Sequence, residues 1–404
     1  MISLEKALQI VLSEVSKIRL LPPEEVGILS SLSRTLAEDV YAHFNIPGFD
    51  RAAMDGYALV AQDTSSAALD RPSLLEVIAD LPAGYRTDKV VDKGKAIRIM
   101  TGAPLPEGAD AVIMVEDTET EENKVKVFKK VKIGENISFA GEDVKKEELI
   151  LPGGKFIRAA EVGMLASLGK KKILVRRKPR IAIVSTGDEL VETGKNLGKG
   201  KVYDSNSFAL FSQVVLSGGE PQRLGIVQDK REDLMAKIRE GLSFDILILS
   251  GGVSMGEYDL VKEAMENTGV KMLFWRVAVK PGKPTFFGVR GNTLVFGLPG
   301  YPVSSMINFE NMVRPAIFSM LGRKDWQRIK VRAILKGTVK KKGKRKNFIR
   351  VKLLREGGKY WALPAPSQKS GVLKSMVWAN GLLILPGEVE RIEKGKEVLV
   401  ELLG

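Results

Sequence analysis

Four short stretches of this chain gather residue types suited to phosphate, oxyanions and a divalent metal. STGDEL (185–190), SGGVSMGEYD (250–259), KPGKP (280–284) and GLPGYPVSS (297–305) each follow an apolar, strand-like run. The first two carry Asp188, Glu189, Glu257 and Asp259, and the third carries Lys280 and Lys283, with Arg276 just before it. In the fourth, Pro302 suits a first helical position and Ser304 lies among free helix-start amides that can cradle an anion. Mg²⁺ takes one or two protein carboxylates and completes its shell with substrate oxygens and water. Acids beside phosphate-binding turns therefore suit it, and which of the four acids would hold it stays open at this level. Lysines in a proline-stiffened loop make a fixed anion site, and glycine turns admit a ligand close to the backbone. The set implies a phosphorylated ligand, a divalent metal and a second anion. No G-x-x-x-x-G-K-[ST] and no G-x-G-x-x-G occurs, so P-loop and dinucleotide readings are disfavoured.

The elements that must carry these turns alternate. IAIVS, RLGIV, DILILS and TLVF read as strands, and SNSFALFSQVVLSGG, REDLMAKIREGL, YDLVKEAMENTG and YPVSSMINFENMVRPAIFSMLG read as helices. That alternation predicts a parallel sheet covered on both faces, with all four turns at the carboxyl edge where such sheets bind ligands. Residues 1–40 read as helical with a break at PPEE, the helix burying Leu4, Leu8, Leu12 and Val15. FIRAAEVGMLASLG reads as a helix ending at Gly169, and the texture between about 46 and 143 as β-rich. Beyond residue 326, short strands predict a small all-β domain. The expected division is 1–45 with 144–178, 46–143, 179–325 and 326–404.

Composition narrows the chemistry. The 404 residues include no cysteine and one histidine, His43, which excludes thiolate and multi-histidine metal sites. His43 lies in the strand-like VYAHFNIPGF and is read as structural. No apolar run is long enough to span a membrane, and the N-terminus has acids among its apolar residues, so a cytoplasmic protein is expected. High Lys and Glu without Cys suits a heat-adapted protein. The net charge of +14 resides in residues 323–355, where fifteen basic residues meet one acid, Asp325. No aromatic-interleaved motif accompanies them, so the segment is read as a solvated basic face rather than a nucleic-acid surface.

PGFDRAAMDGYA, RIMTGAPLPEGADAVIMVED, GED, STGDEL, YDSN, SGGVSMGEYD, FWRVAVKPGKP and GLPGYPVSS, in this order over about residues 45–315, resemble the molybdopterin molybdenumtransferase family (MoeA and the E domain of gephyrin). The resemblance implies an elongated helical part with an inserted β-rich domain, a molybdopterin-binding three-layer α/β domain and a C-terminal β barrel. It implies a homodimer whose site is shared between subunits, with adenylylated molybdopterin and molybdate as substrates, Mg²⁺ as metal and AMP as product, and an upstream molybdopterin adenylyltransferase as a further partner. By motif it assigns Asp55, Asp143, Glu189, Asp229, Asp259 and Lys280 to catalysis, with Glu189 and Asp259 on the metal. Thr101, Ser185, Gly187, Gly251, Gly252, Ser254, Gly256, Arg276, Lys283, Pro299, Pro302 and Ser304 are assigned to cofactor binding, with Arg350 and Ser370 as weaker candidates. Arg276 stands where some members have Lys, and ISFA (137–140) lacks the basic residues some members place before GED. An ATP-dependent molybdopterin adenylyltransferase or a non-catalytic scaffold are the competing readings. The inserted domain argues against the first and the intact set of acids and bases against the second.

Overall fold

The computed structural model describes residues 1–252, 258–341 and 343–403, apart from the side chains of Tyr258 and Asp259. The chain divides into two compact units, one of residues 1–37, 153–162 and 172–404, the other of residues 38–152 and 163–171.

The larger unit is built on helices α1 (Leu4–Lys17), α2 (Ala159–Ser167, which runs on into the smaller unit), α3 (Asn206–Leu216), α4 (Arg231–Gly241), α5 (Tyr258–Asn267), α6 (Pro302–Asn308) and α7 (Arg314–Met320). Its central strands are β1 (Arg180–Thr186), β2 (Glu220–Val227), β3 (Ile246–Ser250), β4 (Lys271–Trp275), β5 (Val279–Lys280), β6 (Phe286–Arg290) and β7 (Thr293–Leu298). Six of these form one sheet in the order β2-β1-β3-β7-β6-β4. Strands β1, β2, β3 and β7 are parallel, as the sequence alternation predicts. β6 runs antiparallel to both neighbours, so the sheet is mixed rather than all parallel. The reason is local: KPGKP and Gly291 make direct reversals on either side of β6, where a parallel strand would need a helical crossover.

Both faces of the sheet are dry. Ile181, Ile183, Ile248 and Phe296 pack with α1, α3, α6 and α7, and Val184, Leu247, Leu249 and Val295 pack with α4 and α5. This alternation along each strand is the period-2 geometry of a sheet with two cores. α1 buries Leu4, Ala7, Val11 and Val15, whereas Leu8 and Leu12 are only half-buried. The stripe is thus rotated from the leucine face expected, toward small residues that let the helix approach α7 closely. Helix is also less extensive than the first forty residues suggest, since Pro23–Gly27 is a strand paired antiparallel with Lys172–Arg176. The long helix read from Tyr301 onward is interrupted by a π turn, Phe309–Val313. Pro315 lacks the N–H that a regular helix would donate to the Asn311 carbonyl, and the Asn311 side-chain amide donates to the Ile307 carbonyl at 2.6 Å.

The remaining strands are β8 (Lys330–Leu335), β9 (Lys346–Glu356), β10 (Lys359–Pro364), β11 (Gly381–Leu385) and β12 (Glu397–Leu402). They pair in the order β9-β10-β8-β12-β11, and β11 returns to β9, closing a barrel around Leu335, Val351, Leu383 and Val400. β5 joins this barrel as a parallel partner of β9. The basic segment is partly neutralised from outside itself: Arg328, Lys330, Arg332, Lys336 and Lys346 pair with Glu310, Glu401, Glu397, Glu356 and Glu5. Lys341 is buried, its ammonium donating to the carbonyls of Gly343, Arg345 and Gly387.

The smaller unit carries a six-stranded sheet with Leu59, Ile113 and Val127 in one core and Ile97, Ile99 and Val112 in the other. His43 is exposed in a bend, outside any strand, which departs from the strand-like reading. No helix among the described residues is long and apolar enough to cross a membrane.

The start of α2 is held by a charged cap. Glu161, 6% exposed, accepts from the Arg158 guanidinium and backbone N–H, and these bonds bring its carboxyl down to about 2. A depressed carboxylate stabilises the fold above its unfolded value of 4.5 and loses that contribution as pH falls toward 2. Glu161→Gln should therefore cost about 2 kcal/mol at pH 7, the size of a charge-assisted hydrogen bond. The gap from wild type in urea denaturation should narrow as pH drops below 4.5, and a pH-independent gap would contradict this.

Candidate active site

Strands β1, β3 and β7 are neighbours and parallel, so the turns that follow them share one edge. KPGKP lies at the same edge, because it follows β4 and leads into β6, whose first residue Phe286 faces Trp275 and Gly297. The described parts of all four motifs thus lie at the carboxyl edge of the sheet.

After β1, the hydroxyls of Ser185 and Thr186 are buried without a partner among the described residues. Gly187 has φ +145°, and the Glu189 carboxylate packs where a β-carbon would stand. Asp188 Oδ1 accepts the Asp229 N–H at 3.2 Å, which ties the β2–α4 connection to the TGDEL turn. Burial raises the Asp229 carboxyl above its ordinary range, and the charges of Asp188 and Glu189 raise it further. Three carboxylates are therefore within electrostatic reach of one another.

After β3, Gly251 and Gly252 have φ of +96° and +62°. A β-carbon on the first would strike the Thr186 carbonyl, and one on the second would lie 2.5 Å from its hydroxyl. The glycines are thus required by the close approach of the β1 and β3 turns. Ser254 and Gly256 lie outside the described residues, as does the Asp259 side chain, and only the backbone of Asp259 is placed, in the first turn of α5.

After β7, Pro299 is buried and Pro302 occupies the first turn of α6, as expected from its type. Ser304 is buried, and the Ser305 hydroxyl beside it has no partner among the described residues. Asn206, at the start of α3, donates to Ser250 Oγ at 2.9 Å and to the Gly300 carbonyl at 2.8 Å, joining the β3 and β7 turns.

The cations come from the remaining turn. Arg276 is half-buried with φ +69°, Lys280 and Lys283 are exposed, and Pro281 and Gly282 are buried between them. The strand leading to Lys280 is gripped from two sides: the Ala278 N–H donates to the Ile2 carbonyl at 2.8 Å, and the Lys346 N–H donates to the Ala278 carbonyl at 3.0 Å. Lys280 thereby lines a cavity of about 290 Å³ together with Lys340, Asn347, Arg350 and Gln368. Arg350 is 1% exposed. Among the described residues its guanidinium meets only neutral oxygens, from Phe348, Ser367, Lys369 and Ser375, and burial pulls it down to about 10. Gln368 exchanges two hydrogen bonds with the Arg350 backbone, at 3.0 and 2.9 Å, and the Ser370 carbonyl accepts from Val303 N–H at 3.1 Å.

Asp55, Thr101 and Asp143 belong to the smaller unit. Asp55 Oδ1 accepts from both the N–H and the hydroxyl of Thr101 at 2.7 Å, and these bonds hold its carboxyl below the ordinary range. The Asp143 N–H donates to the Ile46 carbonyl at 3.0 Å, and its carboxylate is exposed.

With this geometry in place, comparison with known proteins is decisive. The family models for the "MoeA N-terminal region (domain I and II)", the "Probable molybdopterin binding domain" and the "MoeA C-terminal region (domain IV)" match residues 2–169, 182–319 and 332–403. A molybdopterin molybdenumtransferase of Bacillus subtilis is 36% identical over 94% of this chain and 90% of its own. This chain belongs to the molybdopterin molybdenumtransferase family. It is a transferase of that family. A namesake from Haemophilus influenzae is 35% identical over 94% of this chain and 93% of its own. The solved molybdopterin biosynthesis moeA protein of Pyrococcus horikoshii OT3 matches with a TM-score of 0.87 at 34% identity, covering 100% of both chains.

Sequence reasoning about this MoeA-family chain passed over Thr186, Asn206, Asn308 and Asn347. Thr186 lies in STGDEL and Asn206 in YDSN, stretches already singled out, but Asn308 and Asn347 are ordinary polar residues within a helix and a strand. Only their burial with unpartnered atoms marks them. Gly251→Ala should lower stability by about 2 kcal/mol or more, from positive-φ strain and the collision with Thr186. Thermal denaturation checks this, and an unchanged melting temperature would contradict the packing described.

Proposed function

We propose that this protein transfers molybdenum from molybdate to adenylylated molybdopterin in the cytoplasm, with Mg²⁺-assisted release of AMP. The observation that carries this reading is Arg350, a buried cation without a carboxylate partner among the described residues, in one cavity with Lys280. A buried charge is retained at a cost unless a ligand compensates it, and a tetrahedral dianion supplies two negative charges with several acceptors. Lys283 and Arg276 extend the same positive loop toward the phosphate-binding turns of β1, β3 and β7.

In this reading the two dithiolene sulfurs bond to molybdenum as one oxide of molybdate leaves with the two thiol protons as water. Water cleaves the phosphoanhydride, AMP carries away one phosphate, and the pterin keeps the other. Gly187, Gly251 and Gly252, with Ser185, Pro299, Pro302 and Ser304, admit the phosphorylated pterin, while Lys280, Lys283 and Arg350 hold the oxyanion.

The acids fit Mg²⁺ in donor chemistry, being oxygen-only and close enough to raise Asp229. No three of the described acids converge on one point, and Mg²⁺ needs only one or two beside water and substrate oxygens. Glu189 and Asp259 would hold it, and it would neutralise charge on the departing phosphate. Adenylylated molybdopterin would come from an upstream molybdopterin adenylyltransferase.

The reading includes the four-part division 1–45 with 144–178, 46–143, 179–325 and 326–404, and a homodimer. Asp55, Thr101 and Asp143 of one subunit would complete the site of the other. Their support is the preorganised, exposed Asp55–Thr101 pair, and the apolar stripe Phe208, Phe211, Val215 and Leu216 that α3 exposes.

Arg350→Met should fold, because an apolar side chain replaces a buried charge. Its KM for molybdate should rise roughly thirtyfold, the equivalent of a charge-assisted bond of about 2 kcal/mol. An unchanged KM would sink the assignment of this cavity to the oxyanion. Asp229→Asn should leave the apoprotein at least as stable at pH 7, because it removes a charge disfavoured by burial and by Asp188 and Glu189, yet lower AMP release at saturating Mg²⁺. Mixing inactive Asp55→Ala and Glu189→Ala subunits should restore about a quarter of wild-type turnover if the site is shared across a two-fold dimer. No recovery after subunit exchange would argue for a site within one chain.

A further inference from the structure

The geometry points to Asn308, seconded by Thr285, as the positioning residue that turns the Lys283 peptide N–H toward the oxyanion. This rests on the reading of KPGKP as the oxyanion loop. Both lone pairs of the Gly282 carbonyl are taken: Asn308 Nδ2 donates at 3.0 Å and Thr285 Oγ1 at 2.9 Å, both inside the core. Asn308 and Thr285 are each 0% exposed. In a trans peptide the C=O and the following N–H point in opposite directions. Fixing the Gly282 carbonyl inward therefore fixes the Lys283 N–H outward, away from the core, and Lys283 itself is exposed. Among the described residues that N–H makes no hydrogen bond.

Two further observations set Asn308 apart from an ordinary core residue. Its Oδ1 is buried with no partner among the described residues, which costs about 1–3 kcal/mol. A leucine, with the same side-chain branching and heavy-atom count, would avoid that cost, so the amide is explained by what its Nδ2 holds. The contact is also close enough to dictate sequence, since a β-carbon on Gly282, at φ +103°, would overlap the Asn308 amide. Asn308 is the last residue before the π turn Phe309–Val313, a helix irregularity that recurs at functional sites.

The test is calorimetric titration of the full chain with molybdate, and with tungstate as a second probe, for wild type, Asn308→Leu and Thr285→Val. The proposal expects Asn308→Leu to bind molybdate about tenfold more weakly, the equivalent of one hydrogen bond. Its melting temperature should be equal or higher, and its affinity for adenylylated molybdopterin unchanged. A purely structural role would instead lower the melting temperature and weaken both ligands. Should Asn308→Leu not fold, Thr285→Val decides, with wild-type molybdate affinity overturning the proposal and a several-fold loss at unchanged melting temperature supporting it. Wild type that binds molybdate, with Asn308→Leu binding equally well, overturns the role of Asn308 alone. Wild type that binds neither oxyanion overturns the reading of the loop, and the proposal falls with it.

Discussion

One short strand, β5, carries the chain from the α/β sheet onto the barrel, and the cationic side of the site depends on it. The chain leaves β4 at Trp275, reaches Val279–Lys280, and there pairs with Lys346 and Asn347 of the barrel before turning back into β6. Without that pairing, KPGKP would be an ordinary loop at a sheet edge and Arg350 an isolated buried charge. With it, Lys280 and Arg350 line one cavity. The pairing is reinforced from the other side by backbone bonds from Ile2 and by the Glu5–Lys346 ion pair. The N-terminal segment, the α/β core and the barrel are thereby linked at the point where an anion would bind.

Electrostatics separates the two halves of the same edge. The β1 and β2 turns hold acids close enough to disfavour one another's charge, while the β4–β6 connection and the barrel hold cations. Each half is costly alone, because like charges are held near each other or a cation is held away from water. A metal relieves the first and an oxyanion the second, so the proposed substrates and Mg²⁺ fit as a set. Rigid backbone makes this possible: Gly251, Gly252 and Gly282 are packed against Thr186 and Asn308 so closely that no side chain could replace them.

Much of this was legible in the sequence, because period-2 apolar runs and glycine-rich turns report directly on strands and their ends. Most helices and strands from Arg180 onward fall where the pattern predicts, but β6 was not among the expected strands, the strand before KPGKP ends at Trp275, and the helix from Tyr301 is broken by the π turn. The direction of β6 was not legible, since alternation alone does not tell a reversal from a crossover until the tightness of KPGKP is weighed. The burial stripe of α1 was misjudged for a related reason: leucines mark an apolar face, but Ala7 and Val11 are buried where Leu8 and Leu12 are not. Among the site residues, charged and glycine positions stood out by type. Asn206, Asn308 and Asn347 did not, because a buried asparagine is recognised only by what surrounds it. The basic segment was read as a solvated face, yet Lys341 and Arg350 within it are buried, and the pairing of its cations with Glu5, Glu310 and Glu397 depends on contacts distant in sequence.

The central claim is that one edge brings a phosphoanhydride and a metal oxyanion to reaction together. Purified protein should be incubated with adenylylated molybdopterin, Mg²⁺ and molybdate, and AMP and molybdenum-loaded cofactor quantified in the same samples. The account predicts that the two appear in equal amounts, and that both disappear in Glu189→Ala. AMP released without incorporated molybdenum, or tight binding of the adenylylated cofactor with neither product, would contradict it.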